Sequence, residues 1–253
     1  MIDLHNHFLY GIDDGSPSLN ESIEQIKKAQ EIGITAIFLT PHYIKNTEYS
    51  CNNKRKKLRF QTLKKNLKKQ NISVDLYLGN EVHICENLFD LIDQKEIYLL
   101  NNSRYLLLEL PFHQRISRLK EVIFSLIRGG IVPILAHVER YDYFTEKDAK
   151  ELLDCGCLFQ ENLLYLKGKY RKQAEKKLKL FLRKNFIYFL ASDAHRKEDL
   201  EELKGIEEIV KKIVKNDKRV EDMLVNHALK VIENKKISRY SKKNHFWQRS
   251  LQK

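Results

Sequence analysis

Apolar residues recur along the chain in two alternating patterns. Short runs rich in branched and aromatic residues, such as Ile34 to Leu39, Tyr105 to Leu110 and Ile131 to Ala136, are separated by longer stretches in which leucine and isoleucine return every three or four positions. The first pattern is that of buried strands and the second that of amphipathic helices. Seven strands are predicted: Ile2 to His7, Ile34 to Leu39, Leu76 to Gly79, Tyr105 to Leu110, Ile131 to Ala136, Cys157 to Gln160 and Phe186 to Leu190. Between them fall helices from Leu19 to about Gly33, from Asn53 to about Gln70, a short one around Leu88 to Ile92, and others over Leu119 to Leu126, Glu146 to Leu153 and Tyr170 to Lys184. Ser18-Leu19-Asn20-Glu21 reads as a capping box, and Gly129-Gly130 as a stop. Two or three helices fill Glu198 to Lys235. This alternation predicts an α/β protein with a parallel sheet, a (β/α) barrel one strand short of eight. Residues 1–235 read as one domain. Residues 236–253 form a basic, polar tail with Tyr240, Phe246 and Trp247, either a frayed end or a docking arm.

Chemistry enters at the strand ends. In strand one, residues two apart point the same way, so His5 and His7 project together. Thr40-Pro41-His42 follows strand two, Glu81 follows strand three, Glu109 and His137 follow strands four and five, and Asp193 and His195 follow strand seven. A lone His-x-His is weak evidence, and paired surface histidines would explain it. Six strand ends that carry imidazoles or carboxylates are harder to reach by chance, because a parallel barrel gathers those ends on one face. Mixed imidazole and carboxylate donors suit manganese, zinc or iron. Glu109 sits between Leu108 and Leu110-Pro111-Phe112, where a carboxylate needs a partner. The Gly11-Ile12-Asp13-Asp14-Gly15-Ser16-Pro17 loop is turn chemistry in any protein, or it faces an ion with one aspartate. Asp3 is a candidate for orienting a histidine from behind.

Composition narrows the setting. The net charge is +12, which favours anionic partners such as phosphorylated protein, nucleic acid or an inner membrane surface. The lysines read as spread over many helices, so compositional bias explains the charge as readily as a partner does. No apolar run reaches the ~20 residues of a membrane span, and no signal peptide precedes the first strand. Cys51, Cys85, Cys155 and Cys157 lack the spacing of a zinc site or a disulfide framework, so reduced thiols and a cytoplasmic location are expected. They form no Cys-x5-Arg loop either, which argues against a cysteine-dependent phosphatase.

Taken together, Asp3-x-His5-x-His7, Thr40-Pro41-His42, Glu81, Glu109, His137-x-Glu139-Arg140 and Ser192-Asp193-x-His195 resemble the motif set of the polymerase-and-histidinol-phosphatase (PHP) superfamily. The resemblance runs from Met1 to about Asn234. With Gly11-x-Asp13-Asp14-Gly15 it is closest to the manganese-dependent tyrosine-protein phosphatases of bacterial capsule and exopolysaccharide operons. It implies a distorted seven-stranded TIM-like barrel (the PHP fold) and a site for three divalent ions, usually manganese, with iron, zinc, cobalt or magnesium as alternatives. Carried over, His5, His7, Glu81 and Asp193 would hold the first ion. Glu81 would bridge to a second shared with Glu109 and His137. His42, His195 and Asp14 would hold the third.

Arg140 falls three residues after His137 and would grip phosphate oxygens through its planar fork; the bland alternative is a surface pair with Glu139 or Asp142. The family carries a second arginine in a proline-rich loop after Asp-x-His. Here the chain reads His195-Arg196-Lys197-Glu198-Asp199, with no prolines, so Arg196 is the candidate second phosphate-binding arginine although its position is off. The expected activity is phosphotyrosine hydrolysis on proteins, with Arg140, Asp193 and His137 central to turnover and a bacterial tyrosine autokinase as the expected partner, acting in capsule or exopolysaccharide synthesis. The competing readings are a small-molecule phosphatase of the histidinol-phosphate type, a nuclease, and a metal-stabilised binding module recruited by its tail. The full donor set argues against the last. Against the nuclease, basic residues interleaved with aromatics occur only in the tail. Peripheral membrane contact is compatible with the charge.

Overall fold

The computed structural model describes residues 1–168 and 171–240. Nine parallel strand segments are present: β1 (Ile2–Asn6), β2 (Ala36–Leu39), β3 (His42–Tyr43), β4 (Asp75–Leu78), β5 (Glu81–His83), β6 (Tyr105–Glu109), β7 (Val132–Leu135), β8 (Leu158–Asn162) and β9 (Phe189–Ala191). They form a sheet in the order β1-β2-β4 and another in the order β3-β5-β6-β7-β8-β9. Two of these segments were not anticipated. Pro41 offers no amide hydrogen between β2 and β3, and Gly79-Asn80 turns the chain between β4 and β5, so each ladder breaks for two residues and resumes as β3 paired with β5. A parallel bridge between Asn6 and Ala194, with His7 N donating to Ala194 O (3.0 Å), brings the first and last strands together. The sheet is therefore strongly curled.

The helices are α1 (Leu19–Glu31), α2 (Asn53–Lys69), α3 (Leu88–Asp93), α4 (Leu119–Arg128), α5 (Glu146–Cys155), α6 (Lys172–Arg183), α7 (Lys197–Glu202), α8 (Ile206–Val214), α9 (Asp217–Glu221) and α10 (His227–Ile232). Ser18 caps α1 by accepting from Glu21 N. Ile23 and Ile26 of α1, Leu63 and Leu67 of α2, and Ile123 and Leu126 of α4 pack with Ile37, Leu106, Leu135 and Phe159 in one core, between the helices and the outer face of the sheet. A second core gathers the alternate strand residues: Ile2 and Leu4, Ala36 and Phe38, Tyr105 and Leu107, Ile134, Leu158, Phe189 and Ala191. Both faces of the sheet are thus buried, as a parallel sheet requires. Two-residue steps along this inner face lead from Leu107 to Glu109, from Leu158 to Gln160 and Asn162, and from Ala191 to Asp193. On β6, β8 and β9 the inner face is apolar below and polar at the carboxyl end; His5, His7 and His137 fall out of this step, at a register shift in β1 and a left-handed residue after β7.

The amino ends of the strands are closed by Ala228 and Val231 of α10 and by Ile237. Tyr105 Oη donates to Lys235 O (2.7 Å), Ile237 N donates to Tyr105 Oη (3.1 Å), and Tyr240 N donates to Tyr188 Oη (3.2 Å). Residues 236–240 are therefore docked rather than frayed. Phe246 and Trp247 lie outside the described residues. The basic charge is concentrated in α2, the helix whose sequence is rich in lysine. Nine of the 17 residues of α2 are Lys or Arg and none is acidic, set against a net +12 for the whole chain. Among the described residues, no helix is long and apolar enough to cross a membrane.

Candidate metal centre

The strand ends deliver their side chains to one place. His5 and His7, from the end of β1, and Glu81, which opens β5, are fully buried; His137 and Glu109 are nearly so. Asp193, His42, His195 and Asp14 lie progressively nearer solvent, with side-chain exposures of 7%, 13%, 28% and 48%. Ligand atoms within reach of a common ion form three groups: His5, His7, Glu81 and Asp193; His7, Asp14, His42 and His195; and His42, Glu81 and Glu109. Each residue assigned to the centre from sequence is in this cluster. His137 joins through Nε2, 2.7 Å from Glu81 Oε1 and 3.6 Å from Glu109 Oε1.

The geometry suits an ion site. Gln160 Oε1 accepts from the backbone N–H of His137, which fixes the amide's orientation, and it also lies 3.0 Å from His5 Nδ1. Asp13 Oδ2 lies 2.7 Å from His7 Nδ1. Both partners are acceptors, so each Nδ1 carries the hydrogen and each Nε2 presents a lone pair. Those two Nε2 atoms face each other at 3.2 Å, with Glu81 Oε2 and Asp193 Oδ1 each 3.2–3.3 Å from both. Four lone-pair donors converge with no hydrogen between them. Protonating both rings would aim two N–H groups at one another, whereas one cation serves all four atoms. His195 repeats the arrangement: its Nδ1 is 3.0 Å from the carbonyl of Asp193, leaving Nε2 toward Asp14 Oδ1 at 3.5 Å. Glu81 Oε2 and His42 Nδ1 are buried without a hydrogen-bond partner, though only 3.0 Å apart. The donor set fits divalent cations.

With no cation among them, protons balance the carboxylates. Burial opposes charge on His5 and His7, yet the carboxylates prevail: Glu81 and Asp193 hold His5 up at about 9, and Asp13, with Asp193 and Glu81, holds His7 well above its usual value. A divalent ion would displace those protons and return both Nε2 atoms to lone-pair donors. Burial likewise works to raise Glu81 and Asp193, but the imidazoles, His5 foremost, keep both well below the usual carboxylate range. Glu109 goes the other way, pushed up to about 8 by burial and then by Glu81. Without an ion, a protonated His195 beside it lowers Asp14 to about 2.

Local backbone features place these groups. His137 and Asp193 adopt left-handed conformations, φ 33° and 52°. Non-glycine residues rarely do so, and such strain collects at functional sites. Gly15 is needed because a Cβ there would lie 1.8 Å from the carbonyl oxygen of His7. Asp13 sits behind the cluster, also accepting from His42 N and Gly15 N, while Asp14 faces it.

Asp3 departs from expectation. Among the described residues it hydrogen-bonds to no site imidazole. It accepts from Ser192 N, Ser192 Oγ and Asn6 Nδ2, and so ties β1 to the Asp193 turn. The orienting role expected of it is played by Asp13 and by Gln160, which the strand pattern alone did not single out. Asn162 and Tyr141 were also missed. Asn162 Nδ2 donates to Asp193 Oδ2 (2.7 Å), and Tyr141 Oη accepts from Leu110 N and lies 3.3 Å from His137 Nδ1. The usable signal for Gln160 and Asn162 was their two-residue step from Leu158.

Arg140 is not a surface pair with Glu139 or Asp142. Its Nη1 lies 3.3 Å from Asp193 Oδ2, its guanidinium stacks 4.4 Å from the Phe112 ring centre, and 32% of the side chain is exposed at the rim. Glu139 turns inward to accept from Asn162 N, and Asp142 pairs with Arg171. Arg196 is exposed next to His195, and among the described residues its guanidinium contacts none of the site groups.

A curled parallel sheet whose carboxyl ends converge on buried imidazoles and carboxylates, with an arginine at the rim, defines an α/β protein with a half-barrel sheet and a candidate metal-binding cluster. Comparison with known proteins narrows this. The chain belongs to the capsular polysaccharide synthesis family CpsB/CapC, whose pattern matches residues 1–233. CapC of Staphylococcus aureus is 35% identical over 197 residues, 77% of each chain. The tyrosine-protein phosphatase CpsB of Streptococcus pneumoniae is 29% identical over 202 residues, 77% of this chain and 83% of that one. A crystal structure from work on YwqE of Bacillus subtilis and CpsB of S. pneumoniae, described as metal-dependent tyrosine phosphatases, superposes with a TM-score of 0.86 at 25% identity, covering 95% of this chain and 97% of that one.

Proposed function

We propose that this chain is a metal-dependent protein-tyrosine phosphatase that serves capsule or exopolysaccharide synthesis by removing phosphate from a tyrosine kinase or its targets. The observation that carries the reading is the set of four lone-pair donors, His5 Nε2, His7 Nε2, Glu81 Oε2 and Asp193 Oδ1, meeting beneath Arg140. We take residues 1–235 as the catalytic unit, in a seven-stranded barrel of the PHP type, and manganese as the working ion.

His5, His7, Glu81 and Asp193 would hold one ion, Glu81, Glu109 and His137 a second, and His42, His195 and Asp14 a third, with Glu81 shared. Divalent ions held so bring the pKa of a bound water toward neutrality and offset charge on phosphoryl oxygens. The protein's own groups do the rest. Gln160, Asp13 and the carbonyl of Asp193 fix which imidazole nitrogen faces the centre. Complete burial of His5, His7 and Glu81 keeps bulk water from the floor, which strengthens every charge interaction there. Arg140, braced on Phe112 and by Asp193, presents a planar fork to the phosphoryl oxygens as their charge grows. Phe112 and Tyr49 stack on His137 and His42 and offer apolar edges to the substrate ring. A phenolate leaves readily, since the tyrosine hydroxyl has a pKa of about 10. No cysteine lies among the converging donors, and burial pushes the Cys157 thiol upward, away from thiolate chemistry.

The test is a manganese-supplemented panel of phosphotyrosine peptide, phosphoserine peptide and histidinol phosphate. Preference for the phosphotyrosine peptide by at least tenfold in kcat/KM is expected. Preference for histidinol phosphate would move the chain to small-molecule hydrolysis.

A further inference from the structure

The basic face of α2 has no use in the site described so far. Among the described residues, none of its exposed cations (Lys54, Arg55, Lys57, Lys64, Lys65, Lys68 and Lys69) forms an ion pair. Arg55 and Arg59, Lys64 and Lys68, and Lys65 and Lys69 are like charges four apart, an arrangement that destabilises a helix. The first turn holds cations and no acid, against the helix dipole. A face built against its own stability and left unpaired is suited to an external polyanion.

Its placement says which one. The amino-terminal end of α2 rests on the loop that carries Asp13 and Asp14. Arg55 Nη2 donates to Gly11 O (2.9 Å), and the Arg59 guanidinium lies 4.4 Å from the Tyr10 ring centre. The other end borders a surface cleft of about 730 Å³ lined by Lys64, Lys65 and Lys68, with Asp75 its acidic member. The cations therefore run from the mouth of the site down the flank of the sheet. Seventeen residues of helix are about 25 Å long, the span of about seven or eight residues of extended peptide. Leu58, 63% exposed, is the large apolar side chain that α2 shows to solvent. A helix that lies in a membrane interface needs a broad apolar face, so lipid is the poorer fit.

We propose that the solvent face of α2 is a docking track for an acidic polypeptide segment flanking the phosphotyrosine that enters the site. This inference rests on the phosphatase reading and names the kind of protein substrate it takes. It predicts that acidic residues within about eight positions of the phosphotyrosine, on one side of it, raise kcat/KM, chiefly through KM and the association rate.

The experiment uses the full chain with manganese. Two phosphotyrosine peptides are compared, one flanked by glutamates and one by glutamines, alongside para-nitrophenyl phosphate, which is too small to reach α2. The variant is the triple substitution Lys57→Glu, Lys65→Glu and Lys68→Glu, with the matching Lys→Arg triple as charge-preserving control and circular dichroism to establish folding. The expected result is a preference for the acidic peptide of about tenfold or more at low salt, shrinking toward unity near 0.5 M salt as charges are screened. The Glu triple should erase that preference, the Arg triple should keep it, and both should hydrolyse the small ester at the parent rate. Equal kcat/KM for the two peptides in the parent overturns the docking track. So does a result in which the Glu triple loses binding to anionic vesicles or duplex DNA while peptide preference is unchanged. Turnover of neither peptide nor the small ester would instead overturn the phosphatase reading itself.

Discussion

Replacing Arg140 by lysine keeps the charge and removes the fork, so it tests the site at one atom group. In the structure the guanidinium is held flat on Phe112 at 4.4 Å and braced by Asp193 at 3.3 Å, with two-thirds of the side chain covered. A lysine ammonium at the same place offers one point contact, keeps part of the attraction to the ring, and cannot span two oxygens. If Arg140 meets the phosphoryl oxygens, its contacts strengthen as charge develops, so the loss falls on kcat. One such interaction contributes about 2–4 kcal/mol, which is on the order of 30- to 1000-fold in rate. An arginine acting only as a rim pair contributes at most about 1 kcal/mol, which is under about tenfold. The assay is steady-state hydrolysis of a phosphotyrosine peptide at saturating manganese. Ion content by elemental analysis and the thermal midpoint are measured on the same samples, because Asp193 is a partner of Arg140. A variant that retains its ions and its Tm while kcat is unchanged would remove Arg140 from the chemistry and weaken the phosphatase assignment.

Elemental analysis after gentle purification should find about three divalent ions per chain, matching the three donor groups, and EDTA should abolish turnover until manganese is restored. His137→Ala and Asp193→Asn should each lose ion content and turnover with far-UV dichroism unchanged; asparagine tolerates the left-handed backbone at 193, so the loss there reports the carboxylate. Gly15→Ala should lower Tm sharply, since no small movement clears a Cβ 1.8 Å from a backbone oxygen. Lys56 is buried, donates to Asn80 Oδ1 at 2.7 Å, and is pushed down by burial to about 7 from 10.5. Between those values the unfolded chain binds the extra proton, so stability rises with pH across that window. Lys56→Met should flatten the rise in urea midpoints measured from pH 7 to 9.5, and an unchanged slope would show that Lys56 stays charged when folded.

How much of this was legible beforehand depends on what kind of signal each residue leaves. The strands announced themselves because a parallel strand buried on both faces is an apolar run, and the ligand-type residues stood out because His and Glu are foreign to such runs. The breaks after β2 and β4 were harder to see. Pro41 and Gly79 were visible, but only the pairing of His42 with Glu81 shows that the ladder resumes beyond them. Asp3 was misjudged because its neighbour in space, Ser192, is 189 residues away. Gln160 and Asn162 were passed over for a chemical reason. A neutral amide at a strand end looks like any polar residue there, and its value lies in which hydrogen bond it leaves to a histidine.

That last point bears on why the centre takes the form it does. An imidazole can carry its hydrogen on either nitrogen, and a cluster of five that chose freely would hydrogen-bond to its carboxylates instead of presenting lone pairs. The acceptors behind His5, His7 and His195 come from β8, from the loop after β1 and from the turn after β9. Each acceptor removes that freedom at one ring. The sheet must therefore be fully curled before the centre exists, and the centre, once filled, holds together strand ends that carry two left-handed residues and a fully buried Glu81. Strained backbone and buried charge both favour unfolding, and a cation bound only by the folded chain offsets them in proportion to its affinity. Ion binding and the stability of the closed sheet are thereby linked, and Glu81, where donors from several strands meet, is the point of linkage.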